Sequence, residues 1–345
     1  MPVQNTKKKV TMRQIAEAVG VSTVTVSNAL AGKAGVSSEV RSRILEKAAR
    51  LGYDPGEREK RSSSKTITLG VISSNMYMSE KTSFYWEMYQ SVVNACFGKN
   101  ILTMLEVFDE RKGSVQEPTL LSREQIDGFF IIGRVPDVCM RQILRKRRGP
   151  IVLLDFDRPG YQCDSVLSDN YTGMYRATKY LAERGHRQIG FVGSVRTSAN
   201  VLERYYGYWK CMREYGITPD PEWLLEDRDV RTEDAGEIRL PGRLPSAFAC
   251  SSDYSAGFLY NALRKRGLRV PEDISVIGYD DYLYGNDFAD RLTTYHVDFD
   301  RMAEKAVELM QRRIMAPMLP HVTHYIDSYI VERSSVSKAG GGAGR

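Results

Sequence analysis

No apolar run in this 345-residue chain reaches the roughly 20 residues that a membrane-spanning helix needs. The opening MPVQNTKKK carries charge with no apolar segment behind it, so a secretory signal is not expected. Cysteine is scarce and odd in number: Cys96, Cys139, Cys163, Cys211 and Cys250 are scattered and never form CxxC. That spacing argues against a disulfide framework or a zinc site and for reduced thiols in a cytoplasm. Histidine is scarcer still, with four in the chain. His321 and His324 are spaced HxxH but lack a third ligand nearby in sequence. P-loop, GxSxG and HExxH motifs are all missing. No cofactor, no metal and no enzyme activity are expected.

Positive charge is present but unevenly placed. Residues 1–65 hold 13 Lys and Arg against 6 Asp and Glu, a net of +7. The remainder nets −1, so the whole excess of +6 comes from the small N-terminal segment. A basic head on a near-neutral body points to a polyanion bound at one end. Hydrophobic residues make up 42% of the chain, enough for a sizeable core in two or three domains.

Residues 11–30, TMRQIAEAVGVSTVTVSNAL, read as two short helices joined by a tight turn. Thr11 is placed to cap the first, with Gln14 completing a capping box. Gly20 ends it, because the turn needs positive φ. Ser22 caps a second helix over 23–30. This is a helix-turn-helix pattern, whose second helix lies in the DNA major groove; an ordinary helical hairpin is the plain alternative. Hydroxyls at Ser22, Thr25 and Ser27, near a helix N-terminus, suit phosphate oxygens. A third helix runs over about 37–51, with Val40, Ile44, Leu45, Ala48 and Leu51 as its apolar positions and Ser37 as a capping residue and further phosphate contact.

The serine-rich, charged stretch 56–66 reads as a linker. From Ile67 onward apolar strands alternate with amphipathic helices, which indicates parallel sheets covered on both faces. Strands are expected at 67–72, 101–107, 128–132, 151–156, 188–192, 246–250, 274–279 and 325–331. Helices are expected at 84–97, 138–146, 171–184, 203–215, 255–265 and 301–315. The fold expected is a small all-α helix-turn-helix head (1–56), a hinge or linker (57–66) and an α/β core of two parallel-sheet subdomains (67–335). A low-complexity tail (336–345) is expected to be disordered and unable to form a leucine-rich association helix.

Several motifs in order carry a resemblance over nearly all of the chain. The head holds VTMRQIAEAVGVSTVTVSNAL and VSSEVRSRILEKAARLGYDP. The core holds LGVI at 69–72, IDGFFIIG at 126–133, IVLLD at 151–155 and SDNYTGMYRATKYLAERGHRQIGFVG at 168–193. ERYYGY at 203–208, RVPEDISVIGYDD at 269–281, LTTY at 292–295 and YIVERSS at 329–335 complete it. The chain resembles the LacI/GalR family of bacterial transcription regulators. The resemblance implies a cytoplasmic homodimer that represses transcription at a pseudo-palindromic double-stranded DNA operator. It implies a periplasmic-binding-protein-like core with a small effector, a sugar, held between two subdomains. It also implies three chain crossings between them, near 155–165, 292–294 and 321–325.

Residue by residue, the resemblance places Thr23, Val24 and Asn28 at base-reading positions. Methyls of Thr23 and Val24 suit a thymine methyl, and Asn28 suits adenine. Arg204, in RxxG, is implied as a donor to an effector hydroxyl or carboxylate. Asp280, in GYDD, is implied as an acceptor, with Asp155 as a weaker candidate. Ser252 and Asp253 match a paired Asn-Asp position, Ser252 departing from it; capping is the other reading of Asp253 and of Asp281. Tyr77, Phe84, Tyr85 and Trp86 are either an aromatic platform for a sugar ring or core. His186 belongs to a structural GH motif. The linker departs from the family: where a hinge helix would carry a minor-groove leucine, no apolar residue stands between Pro55 and Ile67. Arg58, Lys60, Arg61 and Lys65 remain as phosphate contacts. Two other readings stay open, a regulator controlled by a partner protein and a sugar-processing enzyme with a fused head.

Overall fold

In the computed structural model, Thr11 caps the first helix as its sequence demands. Its hydroxyl accepts from the Gln14 backbone N–H, and its own N–H donates to the Gln14 side chain at 2.8 Å. The structure describes residues 11–30, 35–51, 66–78, 83–109, 118–157, 160–228, 237–282 and 288–340. Contacts divide the chain into two units, 1–66 and 67–345.

Among its described residues the first unit has three helices: α1 (Met12–Val19), α2 (Thr23–Leu30) and α3 (Ser38–Leu51). Gly20 closes α1 at φ 77°, the left-handed conformation the turn requires. Ile15, Ala16, Val26, Ala29, Ile44 and Ala48 are the buried apolar set. Leu45 and Leu51, expected on the buried face of α3, are exposed instead. Ile44 and Ala48 are four apart and share a face, whereas Leu45 is turned about 100° from Ile44. Arg41 donates to the Ala29 carbonyl at 3.0 Å, so a cation on α3 satisfies the C-terminal end of α2.

The second unit opens with β1 (Ile67–Ser74), α4 (Asn75–Met78), α5 (Phe84–Cys96), β2 (Ile101–Phe108) and β3 (Gly128–Ile132). There follow α6 (Asp137–Lys146), β4 (Ile151–Leu154), β5 (Asp164–Ser168), α7 (Asn170–Glu183) and β6 (Ile189–Val192). Next come α8 (Ala199–Glu214), β7 (Leu224–Leu225), β8 (Ala247–Cys250), α9 (Asp253–Lys265) and β9 (Ser275–Asp280). The unit closes with β10 (Thr293–His296), α10 (Phe299–Met315), β11 (Thr323–Ile326) and β12 (Ile330–Val331).

These strands form two six-stranded sheets, in the orders β11-β5-β4-β3-β1-β2 and β12-β10-β9-β8-β6-β7. The first is parallel throughout. The second is parallel except for β12, which runs antiparallel to β10 at its edge. The single strand expected at 325–331 is two: β11 lies in the first sheet and β12 in the second. β5, β7 and β10 had no counterpart among the expected strands.

The chain passes between subdomains three times, and each passage lies C-terminal to its expected place. β5 stays in the first sheet beside β4, so the first passage is at 168–170. β10 stays beside β9, which moves the second to 296–299, and β11 pairs with β5, which moves the third to 326–330. A buried clamp fixes the approach to the third passage. Arg313 on α10 grips both oxygens of Asp164 at 2.9 and 2.8 Å, and Asp164 also accepts from the Val322 N–H. Such a pair is strong because its geometry is bidentate.

The largest apolar cluster runs through both subdomains, from Leu69 and Val71 by way of Met302, Val307 and Met310 to Tyr279 and Tyr295. Full burial of each large aliphatic side chain contributes about 1.5–3 kcal/mol. All five cysteines are buried, and none is joined in a disulfide. Among the described residues no helix is long and apolar enough to cross a membrane.

The segment 336–340, expected to be part of a disordered tail, is held in place. Val336 packs on the core, Ser337 donates its N–H to Ser275 Oγ at 3.0 Å, and Ala339 N–H reaches the Arg184 carbonyl at 2.9 Å. His186 bridges Ser246 Oγ and the Ser337 carbonyl, a structural placement. Residues 341–345 lie outside the described residues.

Candidate nucleic-acid interface and ligand cleft

In the head, Ser22 Oγ accepts the Thr25 N–H at 3.0 Å and so caps α2. This leaves Ser22, Thr23 and Val24 exposed at the start of the helix, with Ser27 exposed one turn on and Thr25 and Asn28 half-buried. Val24 is 66% exposed, an unusual position for a β-branched apolar residue on a folded head. Val26 and Ala29, on the opposite side, are buried. α2 therefore holds the head together with one face and presents methyls, hydroxyls and an amide on the other. Ser37 caps α3 and is exposed. Arg58, Lys60, Arg61 and Lys65 lie outside the described residues.

In the core, residues of both subdomains line a cleft of about 300 Å³. The first subdomain contributes Tyr77, Phe84, Tyr85 and Asp155, and the second contributes Asn200, Arg204, Arg228, Ser252 and Asp280. The elements explain the convergence. Asp155 and Asp280 stand at the carboxyl ends of β4 and β9, where open α/β sheets hold their ligands. Both have positive φ, 62° and 115°, a conformation uncommon for residues other than glycine and concentrated at functional sites.

Arg204 projects from α8. Its Nε donates to Asn170 Oδ1 at 2.8 Å, and its Nη1 donates to the Ser251 carbonyl at 2.6 Å and to Asp280 Oδ1 at 3.2 Å. Its guanidinium lies 3.8 Å from the centroid of the Tyr279 ring. Burial works against its charge, but Asp280, Tyr279 and Asp155 outweigh that and keep it protonated. RxxG spacing has a packing reason as well. A Cβ at Gly207 would lie 2.1 Å from the Tyr171 carbonyl, so only glycine lets α8 approach α7 here and deliver Arg204 to the cleft.

Asp155 is buried. Its Oδ2 accepts from the Tyr85 hydroxyl at 3.0 Å, while its Oδ1 has no hydrogen-bond partner among the described residues. Burial pushes its carboxyl up to about 6, with Arg204 and the Tyr85 hydroxyl pulling back. Burial likewise pushes Asp280 up to about 7 against the pull of Arg204. Tyr85 is driven well above the ordinary phenol range by burial and by Asp155, so it remains a donor. A cleft with a buried unpaired acceptor, fixed cationic donors and aromatic walls is built to bind a polar molecule by hydrogen bonds and stacking.

The cleft brings together Arg204, Asp280, Asp155, Ser252, Phe84 and Tyr85 from the expected set, together with Tyr77. Asp253 is a correction. It does not line the cleft, because Oδ1 accepts from Thr294 Oγ1 at 2.7 Å and Oδ2 from the Tyr282 N–H at 2.9 Å. Those bonds join α9 to the strand ends, the structural alternative for this residue. Asp281 is engaged similarly by His296 and Arg333. Trp86 sits beside Tyr89 and outside the cleft. Asn200, Tyr254 and Arg228 line it without having been expected. Asn200 and Tyr254 lie in the first turns of α8 and α9, positions that strand-end reasoning could have reached. Arg228 follows a two-residue strand with almost no sequence signal.

Comparison with known proteins agrees with this division of labour. Residues 11–56 match the model for bacterial regulatory proteins of the lacI family, and residues 178–336 match the periplasmic binding protein-like domain. The chain is 28% identical over 338 residues to the HTH-type transcriptional repressor PurR of Mannheimia succiniciproducens, covering 95% of this chain and 99% of that one. Its fold is similar to that of a transcriptional regulator CelR–cellobiose complex, with a TM-score of 0.64, 23% identity and coverage of 95% and 100%. It is also similar to the lac repressor dimer bound to operator and the anti-inducer ONPF, with a TM-score of 0.62, 20% identity and coverage of 96% and 100%. A head with that family's helices, a two-sheet core and relatives matched from end to end agree: the chain joins a head that matches the lacI family of bacterial regulatory proteins to a core that matches the periplasmic binding protein-like domain.

Proposed function

We propose that this protein is a dimeric transcriptional repressor, acting in the cytoplasm without catalysis, whose grip on operator DNA is set by a small sugar-like effector in the core cleft. One observation carries this reading: Asp155, Arg204 and Asp280, from three separate elements, converge on one cleft in a chain whose other unit is a helix-turn-helix head. Relatives named as PurR repressors support the output, and a regulator solved with cellobiose supports the input.

In this reading the head spans 1–56, the linker 57–66 and the core 67–335. Thr23, Val24 and Asn28 read bases. Ser22, Thr25, Ser27 and Ser37 hold phosphates, joined by Arg58, Lys60 and Arg61 from the linker. Arg204, Asp155, Asp280 and Ser252 hydrogen-bond the effector against Phe84 and Tyr85. The dimer reading is supported by the edge strand β2, where Leu102, Met104 and Val107 are exposed on a sheet margin that a lone molecule would leave open. Control requires that the effector bind one arrangement of the subdomains more tightly than the other, since equal binding shifts nothing.

Selection of bound duplexes from a random DNA pool tests the output. A two-fold symmetric consensus is expected, and its loss on combined Thr23→Ala and Asn28→Ala substitution. Retention of the same consensus by that variant would sink the assignment.

A further inference from the structure

Three helices begin at the cleft. α5, α8 and α9 are capped by Ser83, Ser198 and Ser252, and all three capping serines line the cavity. Each helix start carries partial positive charge, so the three add their fields in one small volume. Arg228 adds a full charge. Its Nε and Nη2 contact a single oxygen of Asp227, at 3.4 and 3.2 Å, while its Nη1 makes no hydrogen bond among the described residues. Asp227 is itself occupied from behind, by the Ser194 N–H at 2.9 Å and the Ser255 hydroxyl at 2.6 Å. That fixes the position of the guanidinium, and Arg228 lines the cavity. Asp155, from the other subdomain, lines the same cavity, and its buried Oδ1 has no donor among the described residues.

We infer that the effector is a sugar acid of monosaccharide size, its carboxylate held by Arg228 and the helix starts and one of its hydroxyls donating to Asp155 Oδ1. The inference rests on reading the cleft as the effector site. A planar carboxylate matches a guanidinium edge, and charge-assisted bonds of this kind are the strong ones. The cavity, about 300 Å³, stands at the small end of ligand pockets, which favours one ring over two. Asp155 and Asp280 share the cavity, so a dianionic sugar phosphate meets more opposing charge than a monoanion does.

Calorimetry on the full-length protein tests this with three matched sets: glucuronate and galacturonate, the neutral parents glucose and galactose, and glucose 6-phosphate. One of the acids is expected to bind at least about ten-fold tighter than its neutral parent, from the charge-assisted bond. Arg228→Met should erase that preference, and Arg228→Lys should restore part of it, with melting curves reporting that each variant folds. Equal or tighter binding of the neutral parent overturns the inference and leaves the cleft as an effector site. Tighter binding of the phosphate overturns it as well. Binding of none of the three sets overturns both this inference and the effector reading beneath it.

Discussion

The side-chain amide of Asn200 donates a 2.9 Å hydrogen bond to the backbone carbonyl of Asp155. The first turn of α8 in one subdomain is thereby tied to the end of β4 in the other. Ser168 and Tyr279 make a second tie, hydroxyl to hydroxyl at 2.8 Å, beside the first chain passage. Closure of the cleft is thus written into polar contacts as well as into apolar packing.

Asn200→Ala should loosen closure. One net hydrogen bond is worth about 0.5–1.5 kcal/mol, so effector affinity should fall about two- to thirteen-fold. Titration calorimetry on the variant reads the change directly, with the melting temperature as a control for the fold. Unchanged affinity would show that the bridge does not contribute to closure.

Asp155→Asn gives a pH test with a defined sign. Burial raises the Asp155 carboxyl to about 6 in the folded protein, above its ordinary value of 3.8. Between those values the folded state binds more protons than the unfolded state, so this group makes stability fall as pH rises. The variant cannot titrate, and asparagine tolerates the left-handed backbone at this position. Its melting temperature relative to the parent should therefore rise from about pH 4 to about pH 6 and then level off. A flat difference across that range would show that the carboxyl is not held high.

Val24→Ala should weaken operator binding without weakening the head. At 66% exposure the side chain contributes little to packing, so its truncation should change stability by less than about 0.5 kcal/mol. Loss of a methyl contact with thymine should appear as a drop in affinity that is larger on the selected operator than on random duplex. Fluorescence anisotropy on both duplexes separates the two. Asn28→Ala should cost more on the same comparison, about 1–3 kcal/mol, if it pairs with a base.

Gly207→Ala should damage the core selectively. The added Cβ would meet the Tyr171 carbonyl at 2.1 Å, and backbone on both sides leaves little room to yield. Overpacking of this kind costs about 1–3 kcal/mol. Arg204 would shift with α8, so effector binding should weaken along with core stability. A variant with parental melting and parental effector affinity would contradict the close approach of α7 and α8.

Much of this could be read from residue order because the signals are local. A capping box at Thr11 and Gln14, a glycine at a left-handed turn and a serine at the next helix start specify the head within 20 residues of chain. Alternation of apolar strands with amphipathic helices likewise specifies two covered sheets. Arg204, Asp280 and Asp155 were legible because each stands in a motif at a helix or at a strand end.

What the chain order alone could not decide were the features that depend on distant partners. Tyr325 and Ile330 look like one strand, yet β5 captures the first and β10 the second, because a passage between subdomains needs only a few residues. Asp253 looks like a ligand contact, but Thr294 and the Tyr282 N–H, about 30 to 40 residues away, take both of its oxygens. Segment 336–340 looks like a loose tail until β9 and Arg184 supply hydrogen-bond partners for its backbone. Arg228 has no motif at all and joins the cleft only because β7 lies beside β6. Sequence by itself determined the caps of the helix-turn-helix and the alternation of the core; tertiary structure decided which carboxylates were left free to face the cleft, because a hydrogen-bond acceptor is available only where no other part of the fold has already satisfied it.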